Sequence, residues 1–172
     1  MGFLEQAKLK PNQNYIFYAV HGDGIKALDI AQDAANNGQL IMFSFHGAPN
    51  QRFVFEQEGN MYRIKNVKEG KYLNVANDDP HDGMLVRCDE KGKFASQLWT
   101  IIPANDPKFA GKNAFHLRSI YGKALESPGS TLDNNAKIQQ GTFQCSEGQT
   151  WIIKEIWLSH YHLYAYPFTY PS

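Results

Sequence analysis

Few residues of this chain could do covalent or metal chemistry, and their spacing does not serve it. His160-Tyr161-His162 would set two imidazoles on one side of an extended strand, a start for a metal pair, but no third ligand stands nearby. Cys88 and Cys145 are too few for a disulfide framework, and Cys88 lies in a β-prone run that suits a small buried apolar residue. Gly-x-Ser-x-Gly, His-Glu-x-x-His and phosphate-binding glycine loops are all missing from the sequence. The expectation is a non-enzymatic protein with no catalytic residues, metal or cofactor. What does recur is an amide two residues ahead of a ring: Asn50-Gln51-Arg52-Phe53, Ser96-Gln97-Leu98-Trp99 and Gly148-Gln149-Thr150-Trp151.

Each of these phrases runs into a β-type segment: Val54-Phe55, Thr100-Ile101-Ile102 and Ile152-Ile153. The glutamines at 51, 97 and 149 are 46 and 52 residues apart, a period that marks a repeated supersecondary unit. Upstream, Tyr15-Ile16-Phe17, Tyr62-Arg63-Ile64 and Phe115-His116-Leu117 alternate as half-buried strands do. A turn glycine then introduces a strand whose leucine (Leu28, Leu73, Leu125) points one way and whose next residue points the other. From leucine to glutamine the chain runs 23, 24 and 24 residues. Between them lie turn-rich stretches at 33–38, 77–83 and 127–135, each followed by another β-prone run at 40–45, 84–88 and 137–143.

Residues 27–35 have helical propensity on their own. Their counterparts contain Pro80 and Pro128-Gly129, which a helix interior rejects, so a strand is expected in all three. The count is four short strands per unit and three units. It predicts an all-β chain and a β-trefoil of three pseudo-symmetric four-stranded repeats, a six-stranded barrel closed by three hairpins. Closure leaves no long sheet edge for another chain to join. The repeats fall at 13–58, 60–104 and 113–156, making one domain over 13–156 and leaving an aromatic C-terminal tail at 157–172.

Bulk properties narrow the partners. Seventeen basic and seventeen acidic residues cancel, so no long-range field draws nucleic acid or an anionic membrane. No run of 18 apolar residues offers a membrane span. Met1-Gly2-Phe3-Leu4-Glu5-Gln6 lacks the basic and apolar regions of a secretory signal, and two unpaired thiols suit a reducing compartment, so a cytoplasmic location is expected.

The thrice-repeated Gln-x-aromatic, the Gly-Lys-x-Leu strand of Gly70-Lys71-Tyr72-Leu73 and its counterparts, and the repeat length resemble the ricin-B-type β-trefoil lectins over residues 13–156. The resemblance implies that Phe53, Trp99 and Trp151 fill the core between barrel and hairpin cap, while each glutamine amide fastens a loop. It also implies one shallow sugar pocket per repeat. There a carboxylate after the strand leucine accepts from two vicinal hydroxyls, an aromatic at the end of the third strand stacks on the pyranose, and an amide precedes the Gln. In the first repeat these positions hold Asp29, Phe43 and Asn50, beside Gln51, with Phe45 and His46 able to line the same wall. On this reading, loss of Asp29 abolishes binding and leaves stability nearly unchanged.

The second repeat offers Asn74, Cys88 and Ser96, where carboxylate and ring are gone, though Asp78, Asp79 and His81 adjoin. The third offers Glu126, Gly141 and Gly148, which keeps an acid only, with Phe143 and Gln140 near enough to compensate. The implied function is carbohydrate binding to glycans or glycoproteins of galactose or N-acetylgalactosamine type, with no nucleic acid and no membrane insertion. A β-trefoil protease inhibitor or protein-interaction module is the alternative, and targeting of a toxin or enzyme partner is a third. The aromatic segment Trp157–Tyr170 either covers its own barrel or joins two chains, and a homodimer is the reading adopted.

Overall fold

Alternation of apolar and polar residues, punctuated by Gly, Asn and Pro turns, breaks the chain into short strands. The computed structural model describes residues 9–22 and 25–156. In order the strands are β1 (Tyr15–Ala19), β2 (Lys26–Ile30), β3 (Leu40–Ser44) and β4 (Phe53–Glu58). They continue as β5 (Met61–Asn66), β6 (Tyr72–Val75), β7 (Val86–Asp89) and β8 (Trp99–Pro103), then β9 (Ala114–Ser119), β10 (Ala124–Glu126), β11 (Gln139–Gly141) and β12 (Trp151–Glu155). Every helix among the described residues is a three-residue 3₁₀ turn. The run with helical propensity is not helical: it is strand β2 as far as Ile30 and loop and turn beyond it.

Antiparallel pairing carries β1 to β4, β4 to β5, β5 to β8, β8 to β9, β9 to β12 and β12 back to β1, a closed ring of six strands. The other six form three hairpins, β2–β3, β6–β7 and β10–β11, each joined to the barrel through β1, β5 or β9. Isolated bridges Gln39↔Arg87, Ile41↔Lys137 and Leu85↔Gln139 tie the hairpins to one another.

Leu28, Leu73 and Leu125 lie wholly buried in one core with Phe53, Trp99 and Trp151. Each Trp also satisfies its indole: Trp99 Nε1 donates to Leu73 O at 3.0 Å and Trp151 Nε1 to Leu125 O at 3.1 Å, both across 26 residues. Phe53 has no such donor and packs edge-on against Phe17 instead, centroids 5.2 Å apart. Cys88 is buried in this core, which pushes its thiol pKa up, whereas Cys145 is exposed; both are free. The His160/His162 pair and the Trp157–Tyr170 segment lie outside the described residues.

Candidate functional site

Three 3₁₀ turns, Pro49–Gln51, Ala95–Gln97 and Glu147–Gln149, each end on one of the repeated glutamines. The amide nitrogen of every one donates to the carbonyl seven residues upstream, at Ser44, Glu90 and Thr142. The amide oxygen accepts from the N–H five residues upstream, at His46, Gly92 and Gln144. A side-chain amide so used is a clasp that closes the loop between the third strand of a hairpin unit and the barrel. Around this shared clasp the three loops differ.

In the first, the hairpin register sets Asp29 opposite Ile41 and Ala27 opposite Phe43, so Asp29 and Phe43 are diagonal neighbours on one face. Asp29 is only 3% exposed, and its carboxylate is gripped by three side chains. Asn50 Nδ2 donates to Oδ1 at 2.9 Å; Gln51 Nε2 and His46 Nε2 reach Oδ2 at 2.8 and 3.2 Å. Ala48 N donates to His46 Nδ1 at 3.1 Å, so Nδ1 is the bare nitrogen and Nε2–H is the one that faces Asp29. Burial raises the Asp29 pKa above the ordinary aspartate value, against the pull of Gln51, His46 and Asn50.

A shallow pocket of about 180 Å³ opens here, lined by Asp29, Phe43, His46 and Asn50 together with Gln32, Asp33 and Asn135. The Phe43 and His46 rings meet edge-on, 6.1 Å apart. Asn50 uses both amide hydrogens inside the protein, on Asp29 and on Ile30 O at 3.2 Å. What it presents outward is its carbonyl oxygen. A carboxylate pair of oxygens accepts about four hydrogen bonds, of which three are filled here, so Asp29 retains one position. The pocket is therefore rich in acceptors and has one aromatic wall. Phe45, read as part of this wall, instead packs on Tyr18 at 5.2 Å. Asn135 was not foreseen: it arrives from the third hairpin unit, held in a left-handed turn (φ 70°) by its N–H to Met42 O.

The other two loops are closed. Asn74 is wholly buried; its Nδ2 bonds Val75 O, and its Oδ1 has no partner. Ser96 is buried beside it, its hydroxyl engaged with Val75, while Asp78 is taken up by Ser96 N. In the third, Glu126 receives Gln139 and Gln149, both at 3.0 Å, and its carboxylate lies over Gly141 where any Cβ would collide with it. A Cβ at Gly148 would come within 2.6 Å of Ser127 O, so the amide found at Asn50 has no room here. Gln140 donates to Asp79 O and His81 O, not to Glu126. Phe143 faces His116 and Arg118. So the structure gathers Asp29, Phe43, His46, Asn50 and Gln51, and leaves Asn74 and Glu126 each apart.

Comparison with known proteins follows the same lines. The ricin-type β-trefoil lectin domain-like family matches residues 49–114. No curated protein matches the chain. Among solved structures, a designed threefold-symmetric protein, ThreeFoil, is 23% identical with a TM-score of 0.72, covering 83% of this chain and 99% of that one. A ricin B-like lectin of Macrolepiota procera, in complex with lactose, is 20% identical with a TM-score of 0.70, over 86% and 99%. An exo-β-1,3-galactanase from Clostridium thermocellum is 19% identical with a TM-score of 0.71, covering 84% of this chain but 30% of the enzyme. In sequence over residues 49–114, and in fold over most of its length, the chain is similar to the ricin-type β-trefoil lectins.

Proposed function

We propose that this chain is a non-catalytic carbohydrate-binding protein that holds one hexose at Asp29, Phe43, His46 and Asn50, with Gln51 fastening the site from behind. The observation that carries the reading is the pocket's polarity: outward acceptors on Asp29 and Asn50 beside the Phe43 ring. A pyranose has the complementary surface, hydroxyl donors around an apolar C–H face. The Macrolepiota procera lectin of like fold is in complex with lactose, a galactoside, which supports galactose or N-acetylgalactosamine as the hexose. Glu126 and Asn74 do not belong to the proposed site.

In the same reading the twelve strands are three four-stranded units of one β-trefoil domain over 13–156. Trp157–Tyr170 pairs two such chains, since one small shallow pocket binds weakly and linking two can raise avidity by roughly 10²–10⁴. The free thiols of Cys88 and Cys145 fit a cytoplasmic protein. That the galactanase carries this fold over 30% of its length favours a second reading, a sugar-directed module acting for an enzymatic or toxic partner. A glycan array tests the proposal: signal on terminal galactosides is expected. An array blank for every glycan overturns it in favour of a protein-interaction or inhibitor module.

A further inference from the structure

On another side of the barrel, His116 of β9 sits 5% exposed next to the third clasp. Its Nδ1 lies 2.9 Å from Gln149 O and 3.4 Å from Thr150 Oγ1. A carbonyl can only accept. The Thr150 hydroxyl gives its single proton to Ser146 O at 2.8 Å, so it too can only accept from the ring. Nδ1 therefore carries the proton, and the neutral imidazole keeps its lone pair on Nε2. Among the described residues Nε2 has no hydrogen-bond partner, and it is not sealed from the surface, so it is reachable from outside.

His116 lines a cavity of about 250 Å³ walled by Ile102, Pro103, Phe109 and Phe143, with Cys145 at its edge. Two other polar residues reach it, Asn105 and Asp106. The Asp106 carboxylate is already engaged by Lys108, through N at 3.0 Å and Nζ at 3.5 Å. The His116 ring is fixed edge-on to Phe143, centroids 5.1 Å apart, and Arg118 lies 4.9 Å over the same phenyl ring. An apolar slot with one oriented acceptor is the usual build of a small-molecule site, here just below the range of about 300–1,000 Å³ that suits drug-sized ligands.

We propose that this cavity is a second ligand site, separate from the Asp29 pocket, taking a small apolar molecule with one hydrogen-bond donor that His116 Nε2 receives. An aromatic alcohol is the simplest member of the class. A stacked or enclosed ring would lie between Phe109 and Phe143 with its hydroxyl toward the imidazole. Covering His116 Nε2 without giving it a donor would incur the desolvation penalty of an unpaired polar atom, so ligands without a donor bind less well.

The test uses the intact protein with phenol and anisole as probes, followed by nitrogen NMR of the histidine rings and by the rate at which a maleimide labels Cys145. Cys88 is buried and stays silent. Phenol should move the His116 Nε2 resonance and slow labelling of Cys145, while anisole, of similar shape but without the donor, should bind at least tenfold more weakly. Phe143→Ala, at a half-buried position, should weaken phenol while leaving the fold intact. Lactose should not compete. Equal binding of phenol and anisole, or no response to phenol at millimolar concentration, overturns the proposal. Competition by lactose overturns its separateness from the Asp29 pocket.

Discussion

Asp29 is both the acceptor of the proposed site and the hub of a buried network. Replacing it with alanine should weaken glycan binding at least tenfold, because hydrogen bonds to a charged acceptor are worth roughly 1.5–3 kcal/mol each. The same change should also cost about 1–2 kcal/mol of stability, since it strands donors on Asn50, Gln51 and His46. The loss is moderated because Asn50 and Gln51 each keep a second acceptor, Ile30 O and Ser44 O. This corrects the expectation that Asp29 is dispensable to folding; a thermal melt beside a binding titration checks both halves.

The pH dependence follows from the same burial. The folded pKa of Asp29 is raised, so as pH falls this carboxyl takes up its proton in the folded state before it would in the unfolded chain. The penalty of burying its charge is then relieved, and this group does not weaken the fold on acidification. Asp79 and Asp82 are held below the ordinary value, Asp79 by His81 and Asp82 by Lys123 and Thr142. Their stabilising share is full above the ordinary aspartate value and is lost only as pH falls through their lower folded values, after Asp29 has taken up its proton. Binding should thus be lost as Asp29 takes up its proton, at a pH above the ordinary aspartate value, while circular dichroism still reports a folded chain. Binding that survives until the protein unfolds contradicts this.

At the scale of elements, the clasps and the rings beneath them set the loops. Trp99→Ala or Trp151→Ala should each cost about 3–5 kcal/mol in chemical denaturation, from the emptied volume and the lost bond to Leu73 or Leu125. Glu126→Ala should leave glycan binding unchanged. The strands and clasps were legible because leucine, glutamine and aromatic recur at matched offsets, each fixed by a period-two or turn geometry that sequence carries directly. The closure of the second and third loops was not. Asn74 could have projected outward; it lies wholly buried, with its Nδ2 on the adjacent Val75 carbonyl. Gly148 is small because Ser127 approaches it from a distant turn, a contact no local pattern records. Asn135 escaped for the same reason, since it enters the first pocket from another hairpin.

At the scale of the molecule, the proposed sugar site is a single pocket among the described residues, so on that reading each chain should bind one equivalent of hexose. Multivalent behaviour then depends on pairing chains. Light scattering at micromolar concentration should give a dimer mass for the full chain and a monomer mass after deletion beyond Ile156, with monosaccharide binding retained and agglutination lost. A monomer mass for the full chain contradicts the proposed role of Trp157–Tyr170 and leaves the single-site reading standing.

The most direct measurement is a two-dimensional NMR titration with lactose, following the side-chain amides of Asn50 and Gln51. Both hydrogens of each are anchored around Asp29, so a hydroxyl placed on that carboxylate must perturb them. Saturable shifts of both pairs at one equivalent per chain, absent in Asp29→Ala, are the predicted result. Lactose binding that leaves those resonances still, or moves the Gln97 or Gln149 amides instead, contradicts the assignment of the site.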